Sequence, residues 1–219
     1  FFVYYAFLGP SGGLFTLRGN WLHTDVDECL WQRKSSDGEC DSTGKLTTLY
    51  VRKSLAPLKG NVPPEILYLS HLQTIDLSHT IPKSDLETFL PLNVTNAMPA
   101  LQELYLSDCD LNGSIPSALS HLTTLTRIDL SKNSLSSTLP TELGRLSKMK
   151  SLLLSENDLM GSIPREIGEL PSLTEFSIDN NTKVEESVPE GFCREYPAAN
   201  ELLHTNWCWS VAECCSFRG

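Results

Sequence analysis

The histidines and glycine-rich segments of this chain are the residues that could support catalysis or phosphate binding. Histidine occurs at His23, His71, His79, His121 and His204. None of these has a nucleophile, a carboxylate or a further metal ligand at a recognisable spacing. The segment GPSGG at 9–13 lacks the GxxxxGK pattern of a phosphate-binding loop. We therefore expect no enzymatic activity and no cofactor.

Cysteine is the other reactive residue type, and six of the seven cysteines lie near the chain ends. They are Cys29, Cys40, Cys193, Cys208, Cys214 and Cys215, whereas Cys109 is central. A zinc site is the alternative for the carboxyl-terminal group, but it lacks a doubled CxxC and has no nearby histidine beyond His204. We expect no metal and favour disulfides, which form in the secretory pathway or outside the cell. The thiol of Cys109 should be packed rather than reactive.

Composition limits the class of partner. The chain has 219 residues, which is typical of one structural domain, and a net charge of -10. This charge repels phosphate backbones, so nucleic acid is not expected as a partner. The 36 leucines are spaced, no run of 18 apolar residues exists, and the apolar start FFVYYAFLG is only nine residues long. We therefore expect no direct insertion into a membrane within this chain.

The spaced leucines belong to a repeat of 24 residues. Three successive blocks begin at Leu101, Leu125 and Met149, with apolar residues at repeat positions 1, 4, 6, 11, 15, 19 and 22 and proline at position 16. Blocks of altered length begin at Leu46, Leu72 and Leu173. The sequence thus predicts six coils, each of which must stack on its neighbours to bury its apolar side chains.

Two parts of each block should have defined structural roles. The segment LxxLxL has the period of a strand, so stacked copies predict a parallel sheet. At position 9, the four residues Cys109, Asn133, Asn157 and Asn181 form a structural ladder. The asparagine amides should bond backbone groups of adjacent coils that would otherwise be unsatisfied.

The blocks resemble plant-type leucine-rich repeats, LxxLxLSxNxLxGxIPxxLxxL, over residues 46–192. The motif is carried by Leu111, Gly113, Ile115 and Pro116, and again by Leu159, Gly161, Ile163 and Pro164. Ser137 replaces the glycine of the motif in the block between them. The resemblance implies an α/β solenoid: a curved right-handed coil with a parallel sheet on its concave face and 3₁₀ or irregular segments on its convex side.

The two ends resemble disulfide-linked caps of such arrays. In residues 1–45, Trp21, Cys29, Trp31 and Cys40 match the family's amino-terminal cap, and this resemblance implies a Cys29–Cys40 pair. Residues 193–219, together with GFC at 191–193 and including WCWSVAECC at 207–215, look like the cysteine-rich cap of secreted repeat proteins of diatoms and related algae. The four cysteines of that end allow three pairings, and the sequence leaves them open.

Three sequons occur, at Asn93, Asn112 and Asn180. They are possible glycosylation sites because secreted proteins carry glycans at such triplets. About two triplets are expected by chance at this composition, so the number gives little support to secretion.

The face of the sheet that is open to solvent, called the concave face below, should carry any binding site. Position 5 alternates aromatic and acidic side chains before it becomes apolar: Tyr50, Asp76, Tyr105, Asp129, Leu153 and Ser177. Tyrosine and arginine often dominate interface energy. The predicted partner-binding residues are Tyr50, Arg52, Asp76, Glu103, Tyr105, Arg127, Asp129 and Leu153. The alternative is that this face is only solvated.

A second candidate contact surface is the irregular insertion at 81–100. It departs from the repeat pattern and contains prolines at positions 82, 91 and 99. Insertions of this kind emerge on one face of an array and can contact a partner. The alternative is that this segment is only an irregularity in repeat length that the array accommodates, with the prolines stiffening it.

These features favour a non-enzymatic module that binds a protein or a peptide. The resemblance implies a receptor or co-receptor ectodomain, or a secreted inhibitor of cell-wall hydrolases. The alternative is a structural or adhesive component of a wall, matrix or large assembly that contacts partners through its flanks. Ice binding would need a regular column of threonines, and position 2 is too irregular for it.

Overall fold

The computed structural model describes residues 38–50, 69–79, 84–89, 98–185, 187–195 and 203–204, and its main elements are thirteen short strands. In chain order the strands are β1 (Gly38–Cys40), β2 (Leu46–Tyr50), β3 (Thr74–Asp76), β4 (Ser84–Asp85), β5 (Glu103–Tyr105), β6 (Leu111–Ser114), β7 (Arg127–Asp129), β8 (Ser134–Ser137), β9 (Ser151–Leu153), β10 (Asp158–Gly161), β11 (Glu175–Ser177), β12 (Lys183–Val184) and β13 (Leu203–His204).

The main sheet has eight strands in the order β1-β2-β3-β5-β7-β9-β11-β13, one from each of the six predicted coils together with β1 and β13 at its ends. All neighbours from β2 to β13 are parallel, and β1 pairs antiparallel with β2 at the edge. The predicted α/β solenoid with a parallel sheet is therefore confirmed. Strand β13 was not predicted, and it extends the sheet into residues that the sequence assigned to the carboxyl-terminal cap.

A second parallel sheet, in the order β12-β10-β8-β6-β4, follows the ladder residues of each coil. The sequence pattern did not predict it, because only the short segment around positions 11 to 14 contributes to each strand. Its edge strand β4 lies within the irregular segment 81–100 and pairs with β6. That part of the insertion therefore keeps the regular pairing of the array.

Where the structure describes the opposite side of a coil, it is formed by 3₁₀ turns and short helices, as predicted for the convex side. The 3₁₀ turns are Ser117–His121 and Thr141–Arg145, and the α-helices are Leu86–Phe89, Arg165–Gly168 and Glu190–Glu195. Pro116, Pro140 and Pro164 each precede one of these elements, with φ between -72° and -60°. Proline has this φ fixed by its ring and lacks the N–H that would be unpaired at a helix start.

Stacked apolar side chains fill the space between the sheets and the convex side. At position 4, Leu104, Ile128, Leu152 and Phe176 lie on adjacent strands and are all buried. Burying one such side chain contributes about 1.5–3 kcal/mol relative to leaving it exposed. The ring of Phe176 also packs on Phe192 with centroids 5.3 Å apart.

The position-9 side chains join adjacent coils through their amides. The Oδ1 atom of Asn133 accepts the N–H groups of Cys109 and Leu111, and its Nδ2 atom donates to the carbonyl oxygens of Leu106 and Leu130 at 2.9 Å. Each amide thus bonds its own coil and the preceding coil, so it links both turns.

The same arrangement recurs in the next two coils. Asn157 accepts from the N–H of Leu135 at 3.0 Å, and Asn181 accepts from that of Leu159 at 2.9 Å. Cys109 has a different role, because a thiol cannot make the several hydrogen bonds that a side-chain amide makes. It is buried and donates from Sγ to the carbonyl oxygen of Leu77 at 3.2 Å.

Ser137 has a backbone conformation that favours glycine. Its φ is 75°, close to the 82° of Gly113 and the 76° of Gly161 at the same position of neighbouring coils. An L-residue in this left-handed region costs about 1–2 kcal/mol. Glycine avoids that cost, but part of the gain is lost because glycine makes the unfolded chain more flexible.

We therefore expect Ser137→Gly to raise the free energy of unfolding by about 0.5–1 kcal/mol, measured by urea denaturation. Ser134→Gly is the matched control, because Ser134 lies on the same strand and is absent from the residues with positive φ. The control should lower stability. A fall in stability for both variants would contradict the backbone argument.

Candidate functional site

The position-5 side chains form one column across the concave face. Strand pairing aligns Tyr50 with Asp76, Asp76 with Tyr105, Tyr105 with Asp129 and Asp129 with Leu153. All five side chains are half-buried. Parallel neighbours are about 4.8 Å apart, so each tyrosine lies next to a carboxylate on an adjacent strand.

Arg127 is the cationic centre of the face. Its guanidinium carbon lies 5.9 Å from the centroid of the Tyr105 ring, within cation–π range, and its Nη1 atom is 3.3 Å from Oε2 of Glu175. The Nε atom is buried and has no hydrogen-bond acceptor among the described residues. Ser151, on the strand between, donates to the same Oε2 of Glu175 at 2.6 Å. Arg127 is thus held between an aromatic ring and a carboxylate.

The environment of Tyr105 disfavours ionisation of its phenol. Burial is the main cause that raises the pKa of Tyr105, and the negative charge of Glu103 raises it further. The positive charge of Arg127 acts in the opposite direction. The phenol is therefore neutral at physiological pH. Because the folded pKa is raised, any contribution to stability is fully present below the ordinary tyrosine pKa and is lost as the pH rises above it.

Two substitutions should shift the pKa of Tyr105 in opposite directions. Glu103→Gln should lower it, because a nearby negative charge is removed, and Arg127→Met should raise it, because a positive charge is removed. The measurement is absorbance at the phenolate band during alkaline titration, with the spectrum of Tyr105→Phe subtracted. Shifts of the same sign in both variants would contradict the assigned causes.

Hydroxyl groups and a carboxylate form a hydrogen-bonded cluster at the carboxyl-terminal end of the face. Asp179 accepts at Oδ1 from Ser155 at 2.6 Å and from Ser177 at 2.7 Å, and the two hydroxyl groups also contact each other. Asp129 accepts hydrogen bonds from the N–H and the hydroxyl group of Ser131, two residues further along the chain. These contacts fix the carboxylates and leave their negative charge on the face.

Position 8 forms two side-chain pairs along the edge of the face. His79 lies 2.7 Å from Asp108, and Lys132 lies 3.8 Å from Glu156. These residues and Asn180 all have φ between 53° and 63°. The pairs are exposed, and such surface pairs typically contribute less than about 1 kcal/mol each.

The structure locates most of the predicted site residues. Glu103, Arg127 and Leu153 are half-buried on the concave face with the position-5 column. Arg52 and Asn93 lie outside the described residues. Of the other sequons, Asn112 is half-buried in β6 and Asn180 is exposed.

The cysteine predictions are only partly within the described residues. Cys40 is disulfide-bonded. Cys193 lies in the helix Glu190–Glu195, and Cys29, Cys208, Cys214 and Cys215 fall outside the described residues. The Cys29–Cys40 pairing therefore stays a prediction.

Two features of the face were not among the predicted partner-binding residues. Glu175 contacts both Arg127 and Ser151. The register of position 5 continues into β13, because strand pairing aligns His204 with Ser177. The segment around His204 does not follow the LxxLxL pattern, so the repeat gave no signal for it.

The described residues contain no group of three or more histidine, cysteine or acidic side chains placed to hold a metal ion. Within the same residues, no helix has the length and apolar character needed to cross a membrane.

Comparison with known proteins identifies the repeat type. A family model described as leucine rich repeat matches residues 99–159. Receptor-like protein 9DC1 of Solanum pimpinellifolium is 33% identical over 91 residues, which are 42% of this chain and 10% of that protein. The chain carries plant-type leucine-rich repeats. It spans about a tenth of the length of the curated relatives that it matches.

Several solved structures have a fold similar to that of this chain. The PEPR1–AtPEP1 crystal structure is 30% identical with a TM-score of 0.64 and covers 76% of this chain and 22% of the other. The Arabidopsis receptor kinase HAESA, in complex with the peptide hormone IDA and the co-receptor SERK1, is 26% identical with a TM-score of 0.65, covering 84% and 29%. A plant ice-binding protein is 27% identical with a TM-score of 0.68, covering 88% and 57%.

Proposed function

We propose that this leucine-rich repeat chain is a non-enzymatic module that binds a protein or an extended peptide on its concave face, outside the cell or in the secretory pathway. The observation that carries the proposal is the Tyr105–Arg127 pair at the centre of the sheet, flanked by carboxylates. Tyrosine and arginine in such positions are frequent interface hot spots. The similarity to HAESA, whose structure includes a peptide hormone, supports it.

The size of the face agrees with a peptide ligand. Seven parallel strands from β2 to β13 have six gaps of about 4.8 Å, so the sheet is roughly 29 Å across. An extended peptide rises about 3.3 Å per residue, and eight or nine residues would span this distance. Backbone amides and side chains of such a peptide could contact every coil.

The test is affinity capture from the extracellular proteins and peptides of the source organism, with the whole 219-residue chain as bait. Tyr50→Ala/Tyr105→Ala should lose the captured partner. The matched flank variant Met160→Ala/Lys183→Ala, which changes two exposed side chains of the second sheet, should retain it. A partner that depends on the flank variant and not on the tyrosines would favour the structural or adhesive role instead.

The hypothesis that the chain is in an oxidising compartment predicts how many of its cysteines remain as thiols. In the structure Cys40 is disulfide-bonded, whereas Cys109 carries a buried thiol. If all six terminal cysteines form disulfides, protein unfolded without reductant should show one reactive thiol, that of Cys109. Ellman's reagent in guanidinium gives the number, and the fully reduced chain, with seven, is the control. Five or more thiols in the unreduced chain would place it in a reducing compartment.

A further inference from the structure

The amino-terminal half of the concave face contains a site formed by Tyr50, Asp76, Glu103 and Tyr105, which we call the acidic cradle. Asp76 lies between the two tyrosines, because its strand pairs with theirs on both sides. Glu103 is next to Thr74 on the adjacent column and accepts from its hydroxyl at 3.3 Å. Two aromatic rings therefore border two carboxylates within two strand spacings, or roughly 10 Å.

The carboxylates of the cradle are not neutralised by the part of the chain that the structure describes. Asp76 accepts the N–H of Ser78 at 3.1 Å, and no described lysine or arginine lies within salt-bridge distance of Asp76 or Glu103. The described concave face as a whole is acidic. Its cations are Arg127, Lys132 and Lys150, and its carboxylates are Asp76, Glu103, Asp108, Asp129, Glu156, Glu175 and Asp179.

The protein's own Arg127 shows how a cation is held on this face. Its guanidinium lies over one side of the column against the Tyr105 ring and pairs with a carboxylate, Glu175. On the other side of Tyr105, the cradle has the same components, an aromatic ring next to a carboxylate, with a second ring beyond. The strand of Asp76 lies one spacing, about 4.8 Å, from the strand of each tyrosine, so a cation paired with this carboxylate would be next to aromatic side chains.

We propose that the acidic cradle binds a lysine or arginine side chain of an extended basic peptide. This inference rests on the proposed function and adds the class of ligand to it. The guanidinium or ammonium lies between the rings of Tyr50 and Tyr105 and pairs with Asp76 and Glu103, and the rest of the peptide crosses the strands toward Arg127. Partly desolvated cation–π contacts of this kind are stronger than fully exposed ones.

The test uses a random heptapeptide library displayed on phage and selected on the immobilised 219-residue chain. We expect selected peptides to be enriched in lysine or arginine at one position. For a synthetic selected peptide, Asp76→Asn should weaken binding about tenfold or more, and the affinity of the wild type should fall as NaCl is raised from 50 to 300 mM. The variant should lose much of that salt dependence.

The control substitution is Asp158→Asn, which removes the same charge from an exposed residue of the second sheet. It should leave peptide affinity unchanged. In the Asp76→Asn variant the side-chain amide oxygen can still accept the N–H of Ser78, so the fold should be retained, and a circular dichroism melt checks this. Glu103→Gln is the second variant and should weaken binding in the same direction.

Failure of this inference and failure of the proposed function give different results. Selected peptides that lack basic residues but lose binding in Tyr105→Ala would overturn the basic ligand and keep the concave-face module. Peptides whose binding survives both Tyr105→Ala and Asp76→Asn would overturn both proposals. A library that yields no peptide above background would likewise overturn the basic-peptide inference.

Discussion

Replacing Asn157 by leucine should lower the free energy of unfolding by about 1–3 kcal/mol. The substitution removes the acceptor for the N–H of Leu135, a fully buried residue of the preceding coil. The three carbonyl oxygens that accept from Asn157 keep other donors. Asn133 still donates to Leu130, Asn181 still donates to Leu154, and the N–H of Lys132 still donates to Ser155. The cost is therefore mainly one buried, unsatisfied donor together with the lost link between coils. Urea denaturation followed by circular dichroism gives the change.

Asn157→Asp separates the acceptor from the donor role of the amide. Aspartate can still accept the N–H of Leu135, but its ionised form faces the carbonyl oxygens of Leu130 and Leu154. Burial raises the pKa of such a carboxyl group, so the variant should be closest to wild type at low pH and lose stability as the pH rises through the folded pKa. Asn180→Asp, at an exposed position, is the control and should show no such loss.

An unchanged midpoint for Asn157→Leu would place Asn157 outside the hydrogen-bond ladder.

The repeat period alone was enough to predict stacked coils, a parallel sheet and the position-5 column. Leucines at fixed intervals specify which side chains are buried, and in a period-two strand the intervening residues must then face solvent. Tyr50, Asp76, Tyr105 and Asp129 are aligned on adjacent strands for this reason. The parallel sheet was therefore determined by local sequence repeated at constant spacing.

The second sheet and strand β13 needed information that the repeat pattern does not contain. Each strand of the second sheet has two to four residues, so alternation within one strand is too short to detect. Strand β13 has two residues and forms only because β11 offers a free parallel edge. In both cases the neighbouring strand, rather than the local sequence, determines the structure.

The contact between Arg127 and Glu175 could not be predicted from either residue. They lie on strands β7 and β11, with β9 between them. The arginine can reach across because the intervening residue is Ser151, which is short, 3% exposed and itself donates to Glu175. A long side chain at that position would block the contact. Side-chain pairing over two strands thus depends on the size of a third residue.

Gly191→Ala should also lower the free energy of unfolding, by about 1–3 kcal/mol, because it separates the helices Arg165–Gly168 and Glu190–Glu195. A Cβ atom at Gly191 would lie 2.5 Å from both the carbonyl carbon and oxygen of Gly168. These are backbone atoms, so a rotamer change cannot remove the clash. The helix Glu190–Glu195 would have to move outward and take the fully buried ring of Phe192 away from Phe176.

Urea denaturation of Gly191→Ala against Glu169→Ala tests the contact between the two helices. Glu169 is exposed and follows directly after Gly168, so its truncation should change stability by less than about 0.5 kcal/mol. The destabilisation should come with a loss of order at the carboxyl-terminal end of the array, because a coil without its outer neighbour exposes its core. Hydrogen exchange should therefore increase in residues 173–195 and stay unchanged near Leu104. Equal stability of Gly191→Ala and the wild type would show that the helices are not in close backbone contact.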